Sequence, residues 1–478
     1  MARKLPGLRR ELDARALYSV AYGEIASSIY FALGVLAAHA LGFTPLVLLV
    51  VGVLFLIVSL SYAEGTAALP ETGGAATFVR RASNDVAGFL TGWALFLDYL
   101  IVIALSALFL PHYLAGALQV NALARSPWDE IVAVCVICFV ALIRVVRRPS
   151  LYGVGIVVPA LDLLTQLLLV VLGFAFLFSP HALTHGTHLG THPTWHSLAF
   201  ALPLAMLAFT GLETVANLAA EARRPGIDLP RSVFGGIATV VTVYVAIAVV
   251  AVSAFPGPNT ALGSTWLRAP LLGVAEKLHH DLPWGLGGAL RFYVGATGAF
   301  ILLVTITTSI SGFSRLAYSL GEHGQLPRSF GRLSRRAHVS PQAIVSAAVV
   351  SSGIVIATSL IKKDVASLAS LFSFGVLLAF TAAQIAVIRL RISEPDLPRP
   401  YRAPFDVRIR GHAIPLPAIV GAIATFAIWI VALATHPAAR YGGPIWLALG
   451  LVVFVVVRRS QACSRSGCCS PSRRRRSP

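Results

Sequence analysis

Two apolar stretches, each long enough to cross a bilayer, are interrupted near the middle by small, polar, helix-weakening residues with a carboxylate close by: GEIASSIYFALG at 23–34 and AMLAFTGLETVA at 205–216. Backbone at membrane depth leaves helical geometry only where it is buried in protein or lines a wet cavity. Paired interruptions in corresponding positions of two halves mark a substrate site near the midplane of a secondary transporter. A break at Ala26, Ser27 and Ser28 exposes backbone N–H groups from Ile29 onward, a positive dipole end suited to a carboxylate. A break at Thr210 and Gly211 frees carbonyls that can hold an ammonium or another cation. An amphoteric molecule such as an amino acid would be gripped at both ends, with Tyr22 and Phe209 beside the breaks. Small residues also let helices pack closely, but that alone does not account for a matched pair.

Carboxylates supply the second kind of chemistry. Glu24 sits just before the first break, at the negative dipole end of its half-helix, and is a candidate proton carrier. An unpaired charge in the bilayer costs at least about 2.5–3.5 kcal/mol. Glu24, Asp98 and Glu213 therefore each need a partner, a proton or an aqueous cavity, and none is expected to face lipid. Thr305, Thr307, Thr308 and Ser309 offer hydroxyls able to coordinate sodium, although hydroxyls in membrane helices commonly bond their own backbone.

The elements that must position these groups follow from composition. A chain of 478 residues that is 56% apolar and 12% charged belongs in a membrane. Apolar runs give twelve spans, near 16–41, 45–69, 89–118, 129–146, 153–179, 198–221, 233–255, 289–313, 341–361, 365–388, 414–435 and 443–457. This is an all-α integral membrane protein. Residues 1–15 form a short basic segment that runs into a full-length span without the pattern of a cleavable signal, 16–457 the membrane domain, and 458–478 a basic tail expected to be disordered.

The net charge of +18 raises the question of nucleic acid, and its distribution answers it. With the N-terminus inside, only Arg125, Arg268, Lys277, Arg291, Lys362, Lys363 and Arg440 of the 38 Lys and Arg fall outside. That is the positive-inside asymmetry of an even-spanning plasma-membrane protein with both ends cytoplasmic. The partners are thus a small molecule and the lipid bilayer, not nucleic acid. The five cysteines form no disulfide framework. His181, His185, His188, His192 and His196 lack interleaved acidic or Cys ligands and read as a solvated loop rather than a metal site. With no metal cluster, nucleophile elbow or phosphate loop, an enzyme is not indicated, and no cofactor is expected beyond a coupling ion.

Four patches resemble the amino acid, polyamine and organocation permease superfamily over about residues 15–410. They are GEIASSIYFALG; AFTGLETVANLAAEARRPGIDLPRSV, where Phe209, Gly211, Glu213, Glu221, Pro225, Pro230 and Arg231 match; SRLAYSLGEHGQLP at Ser314 to Pro327; and RPYRAPF at Arg399 to Phe405. The resemblance implies two inverted five-helix repeats, of the kind found in LeuT-like transporters, at about 16–179 and 198–388, with two extra helices at 414–457. It implies amino acid import by alternating access, with protons as coupling ion and Phe209 as gate. Some proton-coupled relatives place a Lys in the fifth span where this chain has Gln166, so sodium coupling stays open; Asp162 lies one turn earlier. Asp98–Tyr99, Tyr22 and the Thr210-x-x-Glu213 pattern also resemble a potassium–proton importing branch. That branch carries an Asp where this chain has Arg15, a cation that opposes potassium. A nontransporting nutrient sensor is a third reading, without a long soluble domain to pass on a signal.

Overall fold

The computed structural model describes residues 13–146, 151–181, 189–209, 211–219, 222–257, 261–279, 281–283, 285–334, 340–361, 365–409 and 411–465. It is a helical assembly with one short hairpin, as expected for backbone that must satisfy its own hydrogen bonds in lipid. Ten helical segments among the described residues are long and apolar enough to cross a membrane. The first, Ala14–Ala68, is 55 residues long, against about 20 needed for one crossing, and so joins the expected first and second spans. The helix at the expected fourth span (129–146), Trp128–Val146, is not among the ten; its 19 residues carry Asp129, Glu130 and Arg144.

The first span consists of α1 (Ala14–Ala26) and α2 (Ile29–Ala40). Asp13 starts α1, its Oδ1 accepting from Ala16 N–H at 2.9 Å, which satisfies one orphan donor of the first turn. Next come α3 (Thr44–Ala68), α4 (Ala75–Ala82), α5 (Asp85–Leu118, capped by Asn84), α6 (Trp128–Val146) and α7 (Leu151–Phe176). The sixth expected span is α8 (Trp195–Ala205), a tight turn at Met206–Ala208, and α9 (Leu212–Asn217). The chain continues through α10 (Pro225–Ala254), α11 (Pro270–His279), α12 (Leu286–Glu322), α13 (Pro341–Ile361) and α14 (Val365–Ser393). An antiparallel hairpin, β1 (Asp406–Ile409) and β2 (His412–Pro415), pairs Asp406 with Pro415, followed by α15 (Leu416–Thr435) and α16 (Gly443–Arg465). Helix persists through 458–465, so the expected change to a disordered tail does not fall at 458; residues 466–478 lie outside the described residues.

The helices that carry the site are packed into the interior. α5 packs along α12, α1 against α7 and α10, and α3 against α10, and the α5 stretch Ala94–Pro111 is buried without interruption. The periphery is apolar and exposed instead, with Val349 on α13, Ile423 on α15 and Val452 on α16 facing outward, as lipid-facing positions do. The loop before α11 closes over α2. A Cβ on Gly34 would come within 2.4 Å of the Leu267 carbonyl oxygen, so a side chain there would force that loop away.

The RPYRAPF segment has a structural reason. Glu64, buried at the end of α3, accepts from the Arg391 guanidinium, with Nη2 to Oε2 at 2.8 Å, and from Ala403 N–H at 2.8 Å, while Arg399 Nε lies 3.5 Å away. One carboxylate thus anchors α14 and the turn leading to the hairpin.

Candidate functional site

Both interruptions exist, and they meet. In the first span Ser27 and Ser28 keep right-handed dihedrals, but the bonding tightens: Ser28 N–H donates to the Ile25 carbonyl at 3.0 Å and Phe31 N–H to Ser28 at 3.2 Å, three residues back instead of four. Ile29 N–H, which would continue the ladder to Ile25, donates instead to the Tyr244 hydroxyl at 3.0 Å, and that hydroxyl donates to the Ile25 carbonyl. A side chain from α10 has been inserted into the hydrogen bond that a continuous helix would make. The second interruption is sharper. Phe209 is non-helical, with φ −119° and ψ 63°, and Gly211 has φ +99°, a conformation that costs glycine nothing. Thr210 lies outside the described residues.

Gly211 packs directly on Glu24: a Cβ there would stand 2.6 Å from Glu24 Cγ. The Glu24 carboxylate is buried among hydroxyls, with Oε1 accepting from Ser309 at 2.8 Å and Thr214 at 3.4 Å, and Oε2 from Thr308. Of the hydroxyls considered for an ion, Thr308 and Ser309 point to this carboxylate. Thr305 and Thr307 bond their own backbone, at Ile301 and Leu303, both at 2.9 Å, and are not brought to it.

Asp98 and Glu213 are buried within electrostatic reach of Glu24 and of each other. Among the described residues no side chain hydrogen-bonds Asp98 Oδ1 or either Glu213 carboxylate oxygen, a costly arrangement for ionised groups. Tyr99 is held nearby by Asn217, whose Nδ2 donates to the Tyr99 hydroxyl at 2.8 Å while its Oδ1 accepts from Gly73 N–H at 3.1 Å. On the other side of α1, Tyr22 and Gln166 belong to a cluster around Asp162, and Gln166 Nε2 reaches the Ala26 carbonyl at 3.3 Å. Phe209 lies between the rings of Phe55 and Tyr244, at centroid distances of 5.6 and 5.7 Å. Ala26, Ser27, Ser28 and Ile29 are fully buried.

Among the described residues no ion pair joins Glu24, Asp98, Asp162 or Glu213 to a Lys or Arg. Such a set of acidic groups, free of basic partners and set against two helix interruptions, can exchange protons or receive a cation. Sequence reasoning missed Tyr244, Asn217 and Ser61. The Ser61 hydroxyl bonds the buried Gln384 side chain, a contact 323 residues apart that no local pattern announces. Tyr244 lies in the Val- and Ala-rich second half of α10, and a hydroxyl-bearing ring there was its only signal.

Comparison with known proteins gives a consistent result. The profile of a family described as amino acid permease matches residues 12–457. The chain is 24% identical over 476 residues to the branched-chain amino acid permease BcaP of Bacillus subtilis (strain 168), covering 95% of this chain and 94% of that protein. It is 24% identical over 451 residues to the low-affinity putrescine importer PlaP of Escherichia coli (strain K12), covering 91% and 90%. It is 26% identical over 409 residues to the vacuolar cationic amino acid transporter 2 of Arabidopsis thaliana, covering 81% of this chain and 61% of that protein.

Proposed function

Because the chain belongs to the amino acid permease family, whose members compared above are transporters and not enzymes, we propose that it is a secondary active transporter importing an amino acid or related amine by proton symport. The observation that carries this reading is the contact between the two interruptions, where Gly211 meets Glu24. The substrate carboxylate binds at the N–H groups after Ser28, displacing the Tyr244 hydroxyl from Ile29. The amine binds at the carbonyls around Thr210 and Gly211, and Phe209 closes over it. Glu24, Asp98 and Glu213 take up and release protons, since three ionised carboxylates without basic partners would each cost at least about 2.5–3.5 kcal/mol in the bilayer.

The proposal includes twelve spans, with α1–α2 and α3 as the first two and α6 as the fourth. It also includes the two inverted repeats, alternating access, cytoplasmic termini and a bacterial inner-membrane location. The test is uptake by purified protein in liposomes, screened over labelled amino acids, polyamines and rubidium. Accumulation of an amino acid or amine under an imposed pH gradient supports the reading, and no uptake of any of them under any gradient contradicts it.

One observation favours a second reading. The carboxylate oxygens of Asp98 and Glu213, which no side chain among the described residues occupies, would suit a bare cation, so potassium–proton symport is the alternative; rubidium uptake alone in the same screen selects it.

A further inference from the structure

Asp162 is completely buried on α7, one turn before Gln166. Its Oδ1 accepts from the Tyr30 hydroxyl at 2.6 Å, and its Oδ2 from the Tyr22 hydroxyl at 3.1 Å and Gln166 Nε2 at 2.7 Å. Tyr22 belongs to α1 and Tyr30 to α2, so one carboxylate holds side chains from both sides of the break. Gln166 adds a hold on the break itself through the Ala26 carbonyl.

The two halves differ in what else holds them. The second half is also fixed to α5, where the Tyr113 hydroxyl donates to the Tyr30 carbonyl at 2.9 Å and the two rings pack edge to face. The first half is held to α10 by the Tyr18–Thr239 hydroxyl contact at 3.1 Å and by the Ser232 hydroxyl, which donates to the Ala14 carbonyl at 2.8 Å, to α9 and α12 by the bonds of Thr214, Thr308 and Ser309 to Glu24, and to α7 by close packing of Gly23 on Pro159. Between them the backbone hydrogen bond from Ile29 to Ile25 has been given up to Tyr244, which leaves the tighter bonds from Ser28 N–H to Ile25 and from Tyr30 N–H to Ser27 as the backbone link across the break.

We infer that Asp162 is a positioning residue that ties α1 to α2 at a fixed angle across the break, so that loss of the tie frees α1 to swing. The tie depends on hydrogen bonding and not on charge. An amide at 162 keeps an oxygen for Tyr22 and Gln166 and turns its NH2 toward the Tyr30 hydroxyl, which can accept; a methyl group can do neither. Only the consequence for transport, that the tie sets how readily the site opens, rests on the proposed function; the tie itself is a statement about distance.

The experiment places spin labels on cysteines at Arg15, at the exposed start of α1, and Val86, at the start of α5, in full-length protein whose native cysteines have been replaced. Distances are measured in liposomes by double electron–electron resonance without substrate or gradient, so a failed transport reading does not affect the outcome. The wild type and Asp162→Asn should share one distance distribution. Asp162→Ala should show a shifted or second population, and so should the Tyr22→Phe, Tyr30→Phe double variant, which leaves Asp162 in place and decides the matter if Asp162→Ala does not fold. Wild-type distances in the folded Ala and double-Phe variants would overturn the inference. A shift in Asp162→Asn equal to that in Asp162→Ala would overturn it too, by showing that charge and not hydrogen bonding is needed.

Discussion

Replacing Gly211 with valine puts a side chain where none fits. The backbone there has φ +99°, which costs a residue with a Cβ about 1–2 kcal/mol. The Cβ would lie 2.6 Å from Glu24 Cγ and 2.8 Å from Glu24 Cβ, and overpacking of this kind costs about 1–3 kcal/mol. The combined strain is about 2–5 kcal/mol. If the break relieves it by taking another path, the carbonyls that hold the amine move, and the strain energy appears as lost affinity. At 1.4 kcal/mol per factor of ten, affinity should fall by about thirtyfold to three-thousandfold. The assay is equilibrium binding, in detergent, of the substrate identified by the uptake screen, alongside thermal unfolding and size-exclusion profiles. Gly353→Ala is the control, because a Cβ on that α13 glycine meets nothing within 4 Å; it should bind normally. A folded Gly211→Val protein with wild-type affinity would refute the placement of the site at this break.

Tyr244→Phe removes the hydroxyl inserted between Ile29 and Ile25 and should lower stability by about 1–3 kcal/mol, read as a lower midpoint in thermal unfolding; an unchanged midpoint would mean the helix ladder closes by itself. Glu64→Gln strips the charge from a carboxylate buried with Arg391 and Arg399 and should cost about 3–5 kcal/mol, measured as loss of folded protein on heating, whereas a cost under about 1 kcal/mol would show the cluster to be solvated. Single cysteines at Leu189 and Ser329 in a cysteine-free background should react with an impermeant maleimide on intact cells at Leu189 only; labelling of Ser329 would invert the orientation.

Much of the site was legible because its signals are local. Ser27 and Ser28 after Ala26, and Gly211 after Phe209, weaken a helix wherever they stand in an apolar run, and the chain does depart from regular helix at both places. Glu24 and Glu213 were conspicuous as charges within apolar sequence. Resemblance singled out Gln166 only as the counterpart of a Lys in the fifth span; that its amide reaches the Ala26 carbonyl at the first break is a contact the structure adds. What the sequence hides is partnership at long range. That Asp162 joins Tyr22 to Tyr30, that Tyr244 fills the gap at Ile29, and that Glu64 gathers Arg391, Arg399 and Ala403 all depend on how helices more than a hundred residues apart meet. The boundaries hid something as well: α16 runs to Arg465 because Arg and Ser at a membrane surface do not by themselves stop a helix, as Gly or Pro would.

The central claim is that buried carboxylates, Glu24 foremost, couple proton movement to substrate movement, and Glu24→Gln in liposomes tests it most directly. The amide keeps an acceptor toward Ser309 and Thr214 but holds no exchangeable charge, as if the residue were permanently protonated. An imposed pH gradient should then no longer drive accumulation, while exchange of internal for external substrate persists, because exchange needs binding and rocking but no net proton release. Unimpaired pH-driven accumulation by Glu24→Gln would contradict the account.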